Sequence, residues 1–182
     1  MREYTLFDTA IGHCGIAWDG DTIVGVQLPE DRVEDTRGRV QERFGCATVG
    51  DPPTSVRHAI DEIVASLRGA PNDLDGIALD LAAVPPFHRR VYEVVRTIAP
   101  GETMSYGEVA MEAGSPGAAR AVGQALRRNP FAVIVPCHRV LAAGGKVGGF
   151  TANGGVSTKL RMLAVEGVRP EDAGTSGQAR RP

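Results

Sequence analysis

Two consecutive prolines, Pro85 and Pro86, follow Val84 near the middle of the chain, and neither a helix nor a central strand can run through them. They read as a linker, and the two sides have different periodicities. Before them, Tyr4-Thr5-Leu6-Phe7-Asp8-Thr9, Cys14-Gly15-Ile16-Ala17-Trp18 and Thr22-Ile23-Val24-Gly25-Val26-Gln27-Leu28 are short β-rich runs separated by Gly and Asp, the pattern of a small antiparallel sheet. Residues 30–44 and 53–68 then take helical spacing, with Val56, Ile60, Ile63, Val64 and Leu67 on one stripe of the second. Residues 76–81 are expected to return as a further strand.

Beyond the prolines the chain reads as mainly helical. Phe87, Val91, Val94, Val95 and Ile98 share a face over residues 87–98, and Pro100-Gly101 ends that run. Ser105 with Glu108 three residues on forms a capping box for a helix over 106–113. Ser115 is placed to cap a second helix, with Pro116 at its first position, running to Arg128 and stopped before Asn129-Pro130. Two short helices across a glycine-bearing turn make a helix-turn-helix pattern. The expected fold class is therefore α/β: an N-terminal domain of antiparallel sheet plus helices over 1–84, a mainly helical domain over 85–168, and a polar tail over 169–182 that reads as disordered.

The charge is divided along the same line. Residues 1–84 carry seven Lys/Arg against fifteen Asp/Glu, and residues 85–182 carry thirteen against seven. A polyanion is repelled by the first half and attracted to the second, although ordinary solvated surfaces would also produce so modest an excess. With 42% apolar and 23% charged residues the chain has the composition of a globular protein. It has neither a transmembrane stretch nor a secretory leader, so a cytoplasmic location is expected. Cys14, Cys46 and Cys137 form no paired framework and no Cys-x-x-Cys, and His13 beside Cys14 lacks a second ligand pair, so neither disulfides nor a metal site are expected.

In the second helix, Ala118, Ala119, Ala121, Gly123 and Ala125 keep the surface thin while Arg120, Arg127 and Arg128 project from nearly one side. Such a helix can approach a phosphate backbone closely, or pack tightly on another helix. The run Val135-Pro136-Cys137-His138-Arg139-Val140 is similarly open on its own terms. Cys137 is either a small buried hydrophobe continuing the apolar residues 131–135, or a nucleophile whose thiol needs the adjacent base. Consecutive side chains on a strand point apart, so a working Cys-His pair here requires a bend or a bridging water.

Taken together, Ser105-Tyr106-Gly107-Glu108-Val109-Ala110, Ala118-Ala119-Arg120-Ala121-Val122-Gly123, Arg128-Asn129-Pro130, Pro136-Cys137-His138-Arg139-Val140 and the stretch from Lys159 to Glu166-Gly167 resemble, in order and nearly in spacing, the O6-alkylguanine-DNA alkyltransferases, or methylated-DNA–protein-cysteine methyltransferases. Phe7-Asp8-Thr9-Ala10-Ile11-Gly12 extends the resemblance more loosely into the first half. The resemblance implies a ribonuclease H-like N-terminal domain and a winged-helix-like second domain. It implies an enzyme that flips O6-alkylguanine, and O4-alkylthymine, out of duplex DNA bound through the minor groove, and transfers the alkyl group irreversibly to Cys137.

In that reading His138 is the base acting through a water, Glu166 orients it, and Tyr106 donates to the departing guanine. Arg120 fills the gap left by the extruded base, and Ala119, Gly123, Arg127 and Arg128 lie along the DNA. Asn129 is the hinge, supported by Pro136, Arg139 and Lys159, and Val140, Phe150, Thr151 and Leu126 line the substrate pocket. The loop Val147-Gly148-Gly149-Phe150-Thr151-Ala152-Asn153-Gly154-Gly155 is about two residues longer than the family's shorter form, which shifts the register of Phe150 and Thr151. No cofactor, metal or obligate protein partner is expected, and the protein is expected to be a monomer. The regulatory extension of some relatives does not precede Met1, so transcriptional control is not expected.

Two other classes fit part of the pattern. A non-catalytic DNA-binding protein would explain the helices, but related damage sensors lack the cysteine retained at position 137. A cysteine hydrolase would use Cys137 and His138 yet leave the arginine helix and Tyr106 without a task.

Overall fold

A computed structural model of the chain describes residues 1–72 and 74–169; of the expected tail, positions 170–182 lie outside the described residues. These residues form two compact units. Unit 1 comprises residues 1–84 together with 129–135, and unit 2 comprises residues 85–128 together with those from 136 onward.

In unit 1 the period-two runs become β1 (Arg2–Thr9), β2 (Gly12–Asp19) and β3 (Thr22–Gln27), joined by tight turns into an antiparallel meander. Helix α1 (Val33–Phe44) then carries the chain across to a two-residue strand β4 (Thr48–Val49), which pairs parallel to β1. The sheet order is β3-β2-β1-β4, so the sheet is mixed rather than purely antiparallel. A parallel partner cannot be reached through a hairpin, and the helix supplies the crossover. The strand expected over 76–81 reduces to one bridge between Ile23 and Leu79, in which Ile23 N donates to Ala78 O at 2.9 Å.

Helix α1 seats on the sheet through two glycines. A Cβ at Gly15 would lie 2.3 Å from Val40 Cγ2, and one at Gly25 would lie 2.1 Å from the Phe44 ring. Tyr4, Ala17, Val24, Val40, Phe44 and Cys46 close this core. Helix α2 (Thr54–Ser66) adds Val56, Ala59 and Ile63 as its buried face.

Unit 2 opens with α3 (Pro86–Arg96), in which Pro86 is the first helical residue, so the two prolines start the helix rather than merely separate domains. Val91, Tyr92 and Val95 face inward, and Tyr92 Oη donates to Ala125 O at 2.9 Å. A short strand β5 (Met104–Ser105) leads into α4 (Tyr106–Glu112), and the capping box forms as expected: Glu108 N donates to Ser105 Oγ at 3.1 Å and Ser105 N to Glu108 Oε2 at 2.6 Å. The next helix, α5 (Ala119–Arg127), begins three residues later than its sequence pattern predicts. Ser115 does not cap it. Ala118 N donates to Ser115 O at 3.1 Å and Gly117 has φ 81°, because Pro116 and Gly117 suit the two central positions of a turn.

After a 3-10 turn at Cys137–Arg139, strand β6 (Val140–Leu141) pairs parallel to β5, and α6 (Val156–Val165) buries Lys159, Met162 and Leu163. No helix among the described residues is long and apolar enough to cross a membrane.

The glycine-mediated seat of α1 is directly testable. Gly25→Ala should destabilise unit 1 by about 1–3 kcal/mol through overpacking against the buried Phe44 ring, read as a lower urea midpoint with an unchanged slope.

Candidate active site and nucleic-acid interface

The 3-10 turn supplies the bend that the adjacent Cys and His require. Successive side chains on such a turn diverge by about 120°, so Cys137 stays half-buried while His138 points into unit 2 and is 2% exposed. The other two cysteines are buried in unit 1; burial pushes the Cys14 thiol up to about 12, with a weaker opposing contact from Thr9.

The carboxylate of Glu166, at the C-terminal end of α6, receives both residues that follow Cys137. His138 Nε2 lies 2.8 Å from its Oε1. Arg139 Nε donates to Oε1 at 3.1 Å and Oε2 at 3.0 Å, and Arg139 Nη2 to Oε1 at 2.8 Å. Arg139 Nη1 also donates to Ile98 O at 2.6 Å. Burial alone would raise the carboxyl, but the hydrogen bonds and charges of His138 and Arg139 outweigh it and hold Glu166 at about 2. An ionised carboxylate fixes the imidazole tautomer: Nε2 carries the hydrogen and Nδ1 keeps its lone pair. That Nδ1 is buried and has no hydrogen-bond partner among the described residues. Burial pushes the imidazole down, and Arg139 and Lys159 add to this against the opposing pull of Glu166, so His138 rests neutral.

Lys159 is fully buried and donates to Val140 O at 2.6 Å, with its ammonium 5.8 Å from the centre of the Tyr106 ring. Burial lowers it to about 8, opposed by the negative charge of Cys137. By reciprocity Lys159 favours a thiolate at position 137. Burial and then the same charge raise Tyr106, so its phenol stays protonated as a donor despite the opposing effect of Arg127. Tyr106 is flanked by glycines: a Cβ at Gly148 would come 3.3 Å from Tyr106 Oη, and one at Gly123 would come 4.0 Å from its Cε1.

Helix α5 divides cleanly. Val122, Ala125 and Leu126 are buried; Arg120, Ala121, Gln124 and Arg127 are exposed, as is Arg128 at its end; Ala119 and Gly123 are half-buried. Val140 is buried beside the Cys137–Arg139 turn, Phe150 is half-buried and Thr151 is exposed. Pro136 is buried, and its carbonyl accepts from Arg139 N at 2.9 Å. Asn129 belongs to unit 1, where Nδ2 donates to Val135 O at 3.0 Å and Oδ1 accepts from Phe131 N at 2.9 Å. The structure thus gathers His138, Arg139, Val140, Lys159, Tyr106 and Glu166 around the turn that carries Cys137. Sequence reasoning gave Glu166 to His138 alone and missed the bidentate claim of Arg139, as well as the approach of Gly148 to Tyr106, for which the Gly148-Gly149 pair was the available signal.

Comparison with known proteins agrees in extent as well as motif. Residues 86–168 match the family model described as 6-O-methylguanine DNA methyltransferase, DNA binding domain. The chain is 38% identical over 170 residues to the methylated-DNA–protein-cysteine methyltransferase of Mycobacterium tuberculosis, covering 93% of this chain and 94% of that one. It is 35% identical over 157 residues to the protein of the same name from Methanothermobacter thermautotrophicus, covering 86% and 81%. The crystal structure of Mycobacterium tuberculosis OGT in complex with DNA is similar at a TM-score of 0.73 and 36% identity, covering 90% of this chain and 92% of that chain.

The stability conferred by Glu166 has a defined acid limit. Its folded value of about 2 lies below the ordinary 4.5, so its contribution is fully present above pH 4.5 and is lost as pH falls toward 2. Glu166→Gln should cost about 3–5 kcal/mol at neutral pH by leaving buried Arg139 without its counter-charge. The gap between variant and parent, measured by denaturant unfolding, should close across that acid window.

Proposed function

The chain belongs to the methylated-DNA–protein-cysteine methyltransferase family, and from that premise we propose that it repairs duplex DNA by moving the alkyl group of O6-alkylguanine, and of O4-alkylthymine, irreversibly onto Cys137. The observation that carries this reading is the buried lone pair of His138 Nδ1, in the residue next to Cys137, with Glu166 bound to the opposite ring nitrogen. The thiol proton passes through a water to Nδ1, and Glu166 and Arg139 hold the imidazolium that results. The Cys137 sulfur attacks the alkyl carbon, a C–S bond forms, and the C–O6 bond breaks with its electron pair leaving on guanine. The Tyr106 hydroxyl donates to that developing charge. The thioether has no good leaving group, so each molecule acts once. No step calls for a cofactor.

An alkyl carbon inside a stacked duplex is out of reach, so the nucleotide must first be extruded, at a cost of a few kcal/mol. The exposed face of α5 suits this task. In this reading α4 and α5 form the helix-turn-helix of a winged-helix-like domain, with α5 in the minor groove. Ala119, Ala121 and Gly123 let the helix approach, Arg127 and Arg128 neutralise phosphates, and Arg120 occupies the space the base leaves. Phe150, Thr151, Val140 and Leu126 line the pocket for the extruded base. Asn129 and Pro136 set the backbone ahead of Cys137, and Lys159 braces Val140 behind it. Unit 1, ribonuclease H-like in this reading, serves as support, and the protein works as a cytoplasmic monomer with DNA as its partner.

Incubation with duplex DNA bearing one O6-methylguanine, followed by intact-mass measurement, should give a stoichiometric gain of one methyl group mapping to Cys137 and absent from Cys137→Ser. An unchanged parent mass with tight DNA binding would sink the proposal in favour of a damage-binding protein. Arg120→Ala should slow repair in duplex by about tenfold or more, on the scale of the unstacking cost, while leaving the reaction with free alkylated guanine base nearly intact. Equal losses on both substrates would exclude the role of Arg120 in extrusion.

A further inference from the structure

Two residues before the nucleophile, the strip 129–135 still belongs to unit 1, where a set of hydrogen bonds holds it. Val26 N donates to Pro130 O at 2.8 Å, and Val135 N closes back on Phe131 O at 2.8 Å. The Asn129 side chain spans the same loop through Phe131 N and Val135 O. Inside it, Val133 is buried at φ 71°, a left-handed conformation that a β-branched residue adopts only where its surroundings over-determine it. The shortest anchor comes from α1. Arg43 Nη2 donates to Asn129 O at 2.6 Å, and its Nη1 donates to Gln27 Oε1 at 3.2 Å. Gln27 is itself buried and fixed, donating to Leu28 O at 3.0 Å and Glu30 Oε1 at 3.2 Å.

We infer that Arg43 is a positioning residue for alkyl transfer: its charged hydrogen bond to the Asn129 carbonyl maintains the strained strip whose end delivers Pro136 and Cys137. The inference rests on the alkyl-transfer reading above. Arg43 touches none of the reacting groups and acts through the backbone of Asn129, the residue where the chain leaves the end of α5. A guanidinium suits the task better than an ammonium, because its rigid fork reaches the carbonyl and Gln27 at once. The Phe44 ring, 5.4 Å from the Arg43 guanidinium carbon, backs it.

The test uses the full chain with Arg43→Met, Arg43→Lys and Gln27→Met. The single-turnover rate is measured at saturating O6-methylguanine duplex, alongside DNA affinity and amide hydrogen exchange. Arg43→Met should lower the transfer rate about tenfold, as expected for losing one charge-assisted hydrogen bond, with DNA affinity unchanged. It should also speed exchange at Phe131 and Val135 while β1 and β2 keep their protection. Arg43→Lys should recover part of the rate. An unchanged rate in Arg43→Met, or a rate loss matched by faster exchange throughout unit 1, overturns the inference. Should Arg43→Met not fold, Gln27→Met should still slow transfer about threefold by freeing one arm of the fork, on the scale of a single neutral hydrogen bond, and an unchanged rate there overturns it equally. Failure of the parent protein to take up a methyl group would instead defeat the alkyl-transfer reading, leaving the exchange measurement to judge the Arg43 anchor alone.

Discussion

One carboxylate organises the interior of unit 2. Glu166 caps the end of α6 and accepts from both His138 and Arg139, so the same group closes the fold around the 3-10 turn and selects the imidazole tautomer. A buried arginine without a counter-charge is severely destabilising, which makes the carboxylate structurally necessary whether or not chemistry occurs. The state of the imidazole follows at no further cost. With Nε2 held by Glu166, the only ring nitrogen left to accept a proton is Nδ1.

The buried charges around the turn also work as a set. Lys159 and Arg139 are both removed from solvent, and the attraction between the Lys159 ammonium and Cys137 favours negative charge on the half-buried sulfur. Burial, with a smaller push from Arg139 and Lys159, keeps His138 neutral, and burial, followed by the charge of Cys137, keeps the Tyr106 phenol protonated. Acceptor and donor are therefore set apart by environment, although all of these groups lie within one small unit.

Much of this was legible before any coordinates. Period-two runs located β1 to β3, the Ser105–Glu108 capping box located α4, and the order of short motifs named the residues around the turn. The misreadings share a cause. Ser115-Pro116 carries the same signature whether it caps a helix or opens a turn, and only Gly117 at positive φ decides. Gly15 and Gly25 sit inside the strand runs the sequence predicts, but that they are the seats of Val40 and Phe44 is a relation that needs the helix in place. Arg43 and Asn129 are 86 positions apart, and no local pattern can pair them. Local propensity reports on neighbours in sequence; contacts made by tertiary packing are outside its reach.

Helix α5 resolves an ambiguity that composition left open. A stretch rich in Ala and Gly serves equally for close helix packing and for close approach to a polyanion, and the small residues of α5 divide between its inner and outer faces. Ala125 is buried on the inner face, its carbonyl accepting from Tyr92 Oη, where a larger side chain would displace α3. Ala121 lies on the outer face with Arg120, Gln124 and Arg127, where packing imposes no size limit. A small residue at an outward position beside arginines gains nothing for the core. It lowers the helix surface so that the longer cationic side chains stand proud of it, the relief on which the proposed docking of α5 in a narrow groove rests.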